Sequence, residues 1–164
     1  MKEKGDFHIF ETVNRIGEEV DEVLKRHSVE KYFEEILLLY SLIENLLKWS
    51  VFVKILWDRT AKKDLGKQEL FKLRGFCRGL RFSDALNVGL SLGLVDFDLY
   101  EKIDEVRTER TDVTHQLWIY EHRGKPVELR KNLEMLRRAS KELIKVAEKL
   151  GRKIGVERIY QIRL

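Results

Sequence analysis

Apolar residues recur along this chain every three or four positions, the spacing that lines one face of an α-helix, and only the last ten residues read like a strand. In the first predicted helix Val13, Ile16, Val20 and Val23 form a narrow stripe that ends near His27. Ser28 is placed to cap a second helix, from Val29 to about Thr60, by accepting a free backbone N–H on its hydroxyl. There Tyr32, Phe33, Ile36, Leu39, Tyr40, Ile43, Leu46, Leu47, Val51 and Trp57 cover most of the circumference, while Glu34, Ser41, Glu44, Asn45 and Lys48 share one sector. Such a helix has to be covered on more than one side.

The glycine-punctuated stretch from Lys62 to Arg81 carries Leu70, Phe71, Leu73, Phe76 and Leu80 and predicts a short helix followed by a loop. Ser83 and Gly93 are expected to cap and close another short helix. Asp96 then suits the start of a helix from Phe97 to about Tyr120, in which Leu99, Ile103, Val106, Arg110, Val113 and Leu117 form a heptad seam with one arginine in it. Pro126 fits the first turn of a last helix, whose seam is Leu129, Leu133, Leu136, Ser140, Leu143, Ala147 and Leu150 and whose predicted end is Gly151. The expected fold is all-α: an antiparallel up-and-down bundle of four long helices with one or two additional short helices, one domain over residues 1–164.

Composition agrees with a packed chain, since 43% hydrophobic and 37% charged residues with one proline leave no room for a low-complexity or disordered reading. The lone Cys77 cannot form an internal disulfide, which points to the cytoplasm. The uncharged runs from Ile36 to Ile43 and from Ala85 to Val95 are shorter than the roughly 20 residues of a membrane span, so no membrane segment and no signal peptide is expected.

The net charge of +4 hides opposite local signs. Residues 1–35 carry net −4, residues 59–81 net +6, residues 82–120 net −5 and residues 121–164 net +7, with residues 36–58 neutral. The two basic stretches are candidate phosphate-binding surfaces, and a solvated helix face is the plainer reading of each.

Most catalytic signatures are absent: there is no GxxxxGK[ST] loop, no GxGxxG, no HExxH, no paired CxxC and no GxSxG. Gly89 and Gly93 are spaced as GxxxG, which outside a membrane more often marks a helix end. Asp112 and His115 sit three apart, but two ligands do not make a metal site, and neither a metal nor a cofactor is expected. Arg110 is unusual in occupying a core slot, where its charge needs a partner or an opening; Glu44, at the edge of the polar sector of the second helix, is the candidate partner. On a helical wheel Tyr100, Asp104, Arg107, Thr111, His115 and Trp118 form a second stripe about 90° from Arg110.

The segment Arg107-Thr108-Glu109-Arg110-Thr111-Asp112-Val113-Thr114-His115 resembles the R-x4-6-H motif of HEPN domains, all-helical RNase and RNA-associated modules, with Arg110 and His115 in the motif positions. The resemblance implies a metal-independent endoribonuclease that cleaves single-stranded RNA as a homodimer and leaves a 2′,3′-cyclic phosphate. In it His115 is the general base or acid and Arg110 holds the scissile phosphate, with Thr111, Asp112, Arg107 and Glu44 as supporting residues. The residue after the arginine, usually Asn, Asp or His in the family, is Thr111 here. The implied partners are a second copy, RNA, and a nucleotidyltransferase-type antitoxin on a separate chain. Two other readings are a non-catalytic HEPN-like module binding RNA, a nucleotide or a protein, and a purely structural helical dimer.

Overall fold

A computed structural model of the chain describes residues 7–26, 29–60, 66–115 and 126–154. Six helices and no strand occur among the described residues: α1 (Phe7–Arg26), α2 (Val29–Thr60), α3 (Lys67–Gly79), α4 (Phe82–Ser91), α5 (Phe97–His115) and α6 (Pro126–Ile154). The protein is all-α. Four helices are long and two are short, 13 and 10 residues for α3 and α4. His27, Ser28 and the tail 155–164 lie outside the described residues, as does the predicted extension of α5 to Tyr120.

The described chain falls into two compact units, each drawn from two separate stretches of sequence. One lies within Met1–Leu42 and Glu105–Ser140. Here Ile16, Val20 and Val23 of α1, Tyr32, Ile36 and Leu39 of α2, and Leu129, Leu133 and Leu136 of α6 are all buried, so the expected stripes are the faces that leave water. The other unit lies within Ile43–Asp104 and Lys141–Leu164. Its core includes a cluster of Val51, Val53, Cys77, Leu94 and Leu150, against which Trp49, Trp57, Leu73, Leu80 and Val146 pack.

α2 is apolar enough over Glu34–Arg59 to cross a membrane by length and composition, and 56% of its most apolar window is buried inside the protein. The short uncharged runs in the sequence understate this stretch, because isolated Glu44 and Lys48 interrupt it and pair with each other at 2.7 Å. The polar sector is where the pattern puts it: Glu34, Ser41 and Asn45 are exposed, while Glu44 and Lys48 are half-buried.

Two helix ends differ from expectation. α4 begins at Phe82 with Arg81 as its N-cap, two residues ahead of Ser83, because the Phe82 side chain is buried and has to turn inward with the first residue. The side chain of Arg81 donates to Asp84 at 2.9 Å and holds that carboxyl below its usual range, while the Arg81 carbonyl accepts from Ala85 N–H. α6 runs past Gly151 to Ile154. A glycine ends a helix by taking positive φ, and Gly93 is the described glycine that does so.

Gly93 closes α4 as expected, at φ 66°. Its N–H reaches the Leu90 carbonyl at 3.0 Å and the N–H of Leu94 reaches that of Gly89 at 2.9 Å, the paired bonds of a Schellman end. Gly89 has a separate reason: a Cβ there would lie 3.1 Å from Leu47 Cδ1, so α4 and α2 approach on a bare backbone. Gly89→Leu is therefore expected to lower stability by about 1–3 kcal/mol through overpacking, read as a reduced melting temperature with helicity retained.

Candidate functional site

α5 starts on a true cap. Asp96 Oδ1 accepts the Leu99 N–H at 2.8 Å, satisfying one of the free donors of the first turn and placing negative charge at the positive end of the helix. Leu99 and Ile103 are buried, which fixes the rotation of the helix about its axis. That rotation leaves Tyr100, Asp104 and Arg107, the described members of the second stripe, half-buried. The Tyr100 hydroxyl donates to Asn87 Oδ1 at 2.8 Å. Lys102 reaches Glu142 on α6 at 3.3 Å.

Arg110, Thr111, Asp112 and His115 all belong to α5, which is helical through His115, and their side chains lie outside the described residues. On that backbone Arg110 and His115 are separated by about 7.5 Å along the axis and about 140° around it. Arg107 lies one turn before Arg110, half-buried and engaged with the rest of the protein. Glu44, the expected partner of Arg110, holds Lys48 Nζ at 2.7 Å; whether it also meets Arg110 lies outside the described residues. No group of three or more His, Cys, Asp or Glu side chains that could hold a metal occurs among the described residues.

Two polar arrangements escape the sequence reading. On α6, Arg137 is 12% exposed and makes a two-pronged pair with Asp21 of α1, Nε to Oδ1 at 3.0 Å and Nη2 to Oδ2 at 2.8 Å. Its guanidinium lies over Gly17, where a Cβ would overlap it, and Gly17 sits one turn before Asp21 on the same face. Glycine there lets the arginine lie on the helix backbone. The pair joins residues 116 apart in sequence, so no local pattern announces it.

The second is Glu35, 8% exposed, with Oε2 buried and unpartnered among the described residues. Burial pushes its carboxyl above the usual range, and the charges of Glu19 and Glu34 add to that shift. A signal was present: Glu35 lies outside the angular sector shared by Glu34, Ser41, Glu44, Asn45 and Lys48. Ser50 is a second buried group whose hydroxyl has no partner among the described residues. Cys77, buried in its core cluster, has its thiol pushed up to about 11, so it is a protonated packing residue at neutral pH.

No protein-family model, no curated protein and no solved structure matches the chain.

The raised carboxyl of Glu35 sets a sign for pH dependence. Because its folded pKa exceeds the unfolded one, its ionisation lowers stability as pH rises from the ordinary carboxylate range through the folded pKa, and the full cost stands above that. Glu35→Met is expected to raise stability at pH 7 by on the order of 1 kcal/mol, and the gain should shrink as pH falls into the ordinary carboxylate range. Thermal melts of both proteins at several pH values check this, and a gain independent of pH would remove ionisation as the cause.

Proposed function

We propose that the protein is a HEPN-like, metal-independent endoribonuclease that cleaves single-stranded RNA as a homodimer, its helices forming an antiparallel up-and-down bundle. The observation that carries the reading is that Arg110 and His115, at the motif spacing, fall on one unbroken helix, α5. Support also comes from the four long helices of the all-α fold and from the half-buried Arg107 on the same stripe.

The chemistry follows from the residue types. Neutral His115 takes the proton of a ribose 2′-hydroxyl, and the 2′-oxygen attacks the adjacent phosphorus. The 5′-oxygen leaves with a proton from the imidazolium of the second copy, giving a 2′,3′-cyclic phosphate and a 5′-hydroxyl. Arg110 binds the phosphate oxygens and offsets the charge that grows on them. Thr111 contributes a hydroxyl that donates or accepts, a shorter group than the Asn usual in the family. Glu44 and Asp112 are supporting carboxylates. Each copy supplies half of the cleft, with the second stripe of α5 facing its own image across a twofold axis. As a toxin or defence nuclease in the cytoplasm it would be held in check by a nucleotidyltransferase-type antitoxin on another chain.

The stretch of residues 82–120 carries net −5, so the phosphates have to be held by the basic stretches 59–81 and 121–164. Thr111, in place of the Asn, Asp or His usual in the family, favours a second reading: a non-catalytic HEPN-like module that binds RNA, a nucleotide or a protein partner.

Purified protein is expected to cleave single-stranded RNA in excess EDTA, and His115→Ala to lower the rate by about 10²–10⁴-fold at unchanged helicity. Cleavage that survives this substitution would show that the site is elsewhere. Arg110→Met should remove activity, and a stability at least equal to the parent's would show that the charge serves function, because buried ions often break even or worse against apolar replacements.

A further inference from the structure

The outward face of α3 carries features that packing does not require. Its inward side is Leu70, Leu73, Cys77 and Leu80, of which Cys77 is buried and the leucines are partly so. Two large rings point the other way: Phe71 is 68% exposed and Phe76 is 55% exposed. Lys67, Lys72, Arg74 and Arg78 are exposed as well, and none pairs with a described residue. The one acidic residue of the helix, Glu69, is turned back to the Gly66 N–H at 3.0 Å.

At 100° per residue the outward surface reads in order Arg74, Lys67, Arg78 and Phe71, then Gly75, Gln68 and Gly79, then Lys72 and Phe76. Gln68 occupies this strip in the first turn, and two turns further on Gly75 and Gly79 floor a trough that has a ring and cations on each side. A Cβ on either glycine would meet nothing within 4 Å, so no described neighbour excludes a side chain there. Gly75 lies inside the helix, where glycine is unfavourable relative to alanine. A bare backbone between exposed rings suits a ligand that comes close to it.

We infer that this face binds single-stranded RNA, whose bases stack on Phe71 and Phe76 while its phosphates cross the Gly75–Gly79 trough beside Lys67, Lys72, Arg74 and Arg78. The inference rests on the RNA reading above for the class of ligand and goes beyond it in naming the surface. Charge complementarity selects this occupant. A second copy of the same face would set Arg74 and Arg78 against their own images. A lipid surface is met by helices whose apolar and cationic residues are segregated on opposite sides, whereas here rings and cations are interleaved on one side and the remaining apolar residues face the protein. Aromatic platforms interleaved with cations are what a flexible polyanion with flat bases requires.

Binding of a fluorescein-labelled single-stranded RNA, measured on the His115→Ala chain so that the probe stays intact, tests the surface. Each of Phe71→Ala and Phe76→Ala should weaken binding by about 5- to 150-fold, the effect of losing one stacked base, and Phe71→Trp and Phe76→Trp should retain it. If all four cations engage, log K should fall against log salt with a slope of about −2.8, and Arg74→Glu with Arg78→Glu should flatten it. Gly75→Gln should weaken binding without lowering the melting temperature, separating loss of the trough from loss of fold. RNA binding that none of these substitutions changes overturns the surface and leaves the RNA reading standing. Absence of RNA binding overturns both. Binding that depends on α3 in a parent chain that never cleaves RNA in EDTA supports the surface and removes the nuclease reading. Phosphatidylserine-containing vesicles bound through Phe71 and Phe76 in place of RNA would overturn the inference.

Discussion

A helix of 32 residues that is apolar around most of its circumference cannot remain in water, and the need to cover α2 organises both units of this protein. In its first part Tyr32, Ile36, Leu39, Tyr40 and Leu42 are buried, in the unit that also holds α1 and the beginning of α6. In its second part Ile43, Leu46, Leu47, Val51, Val53 and Leu56 are buried, in the unit that holds α3, α4 and the end of α6. Each fully buried Leu or Ile contributes about 1.5–3 kcal/mol relative to exposure, so this one helix supplies a large share of the driving force. It is long and apolar enough to cross a membrane, and 56% of its most apolar window is buried inside the protein.

Coverage at this density leaves little freedom for polar groups, and the exceptions are informative. Ser140, in the middle of the α6 seam, is buried without cost because its hydroxyl donates to the Arg137 carbonyl at 2.8 Å. Arg137 itself reaches Asp21 only because Gly17 lacks a side chain. Glu35 has no such device among the described residues: one of its oxygens is buried there without a partner, and two neighbouring carboxylates oppose its charge. Its position in α2 works against stability at neutral pH.

The distribution of charge differs sharply from one part of the chain to another. The stretch of residues 82–120 carries net −5, and Arg110 and His115 lie within it on α5. The outward face of α3 has the opposite character, four cations and two exposed rings with one turned-away carboxylate.

The all-α class, the starts of α2, α5 and α6 and the buried seam from Leu129 to Leu150 were legible in the sequence, because apolar periodicity, Asp96 and Pro126 are local signals that act within one or two turns. Arg110 and His115 lie on α5, and their side chains lie outside the described residues. What neighbouring elements do to a helix was not legible in the sequence. The buried Phe82 moved the start of α4 ahead of Ser83, and α6 ran on through a Gly151 that did not take positive φ. The composition of α3 was plain, but which of its apolar residues would turn outward was decided by where Leu73, Cys77 and Leu80 found a core. The Arg137–Asp21 pair over Gly17 came only with tertiary structure, since it joins side chains more than a hundred residues apart whose meeting depends on how α1 and α6 pack. Local spacing determines which face of a helix is apolar; only the packing of that face decides what its opposite side presents.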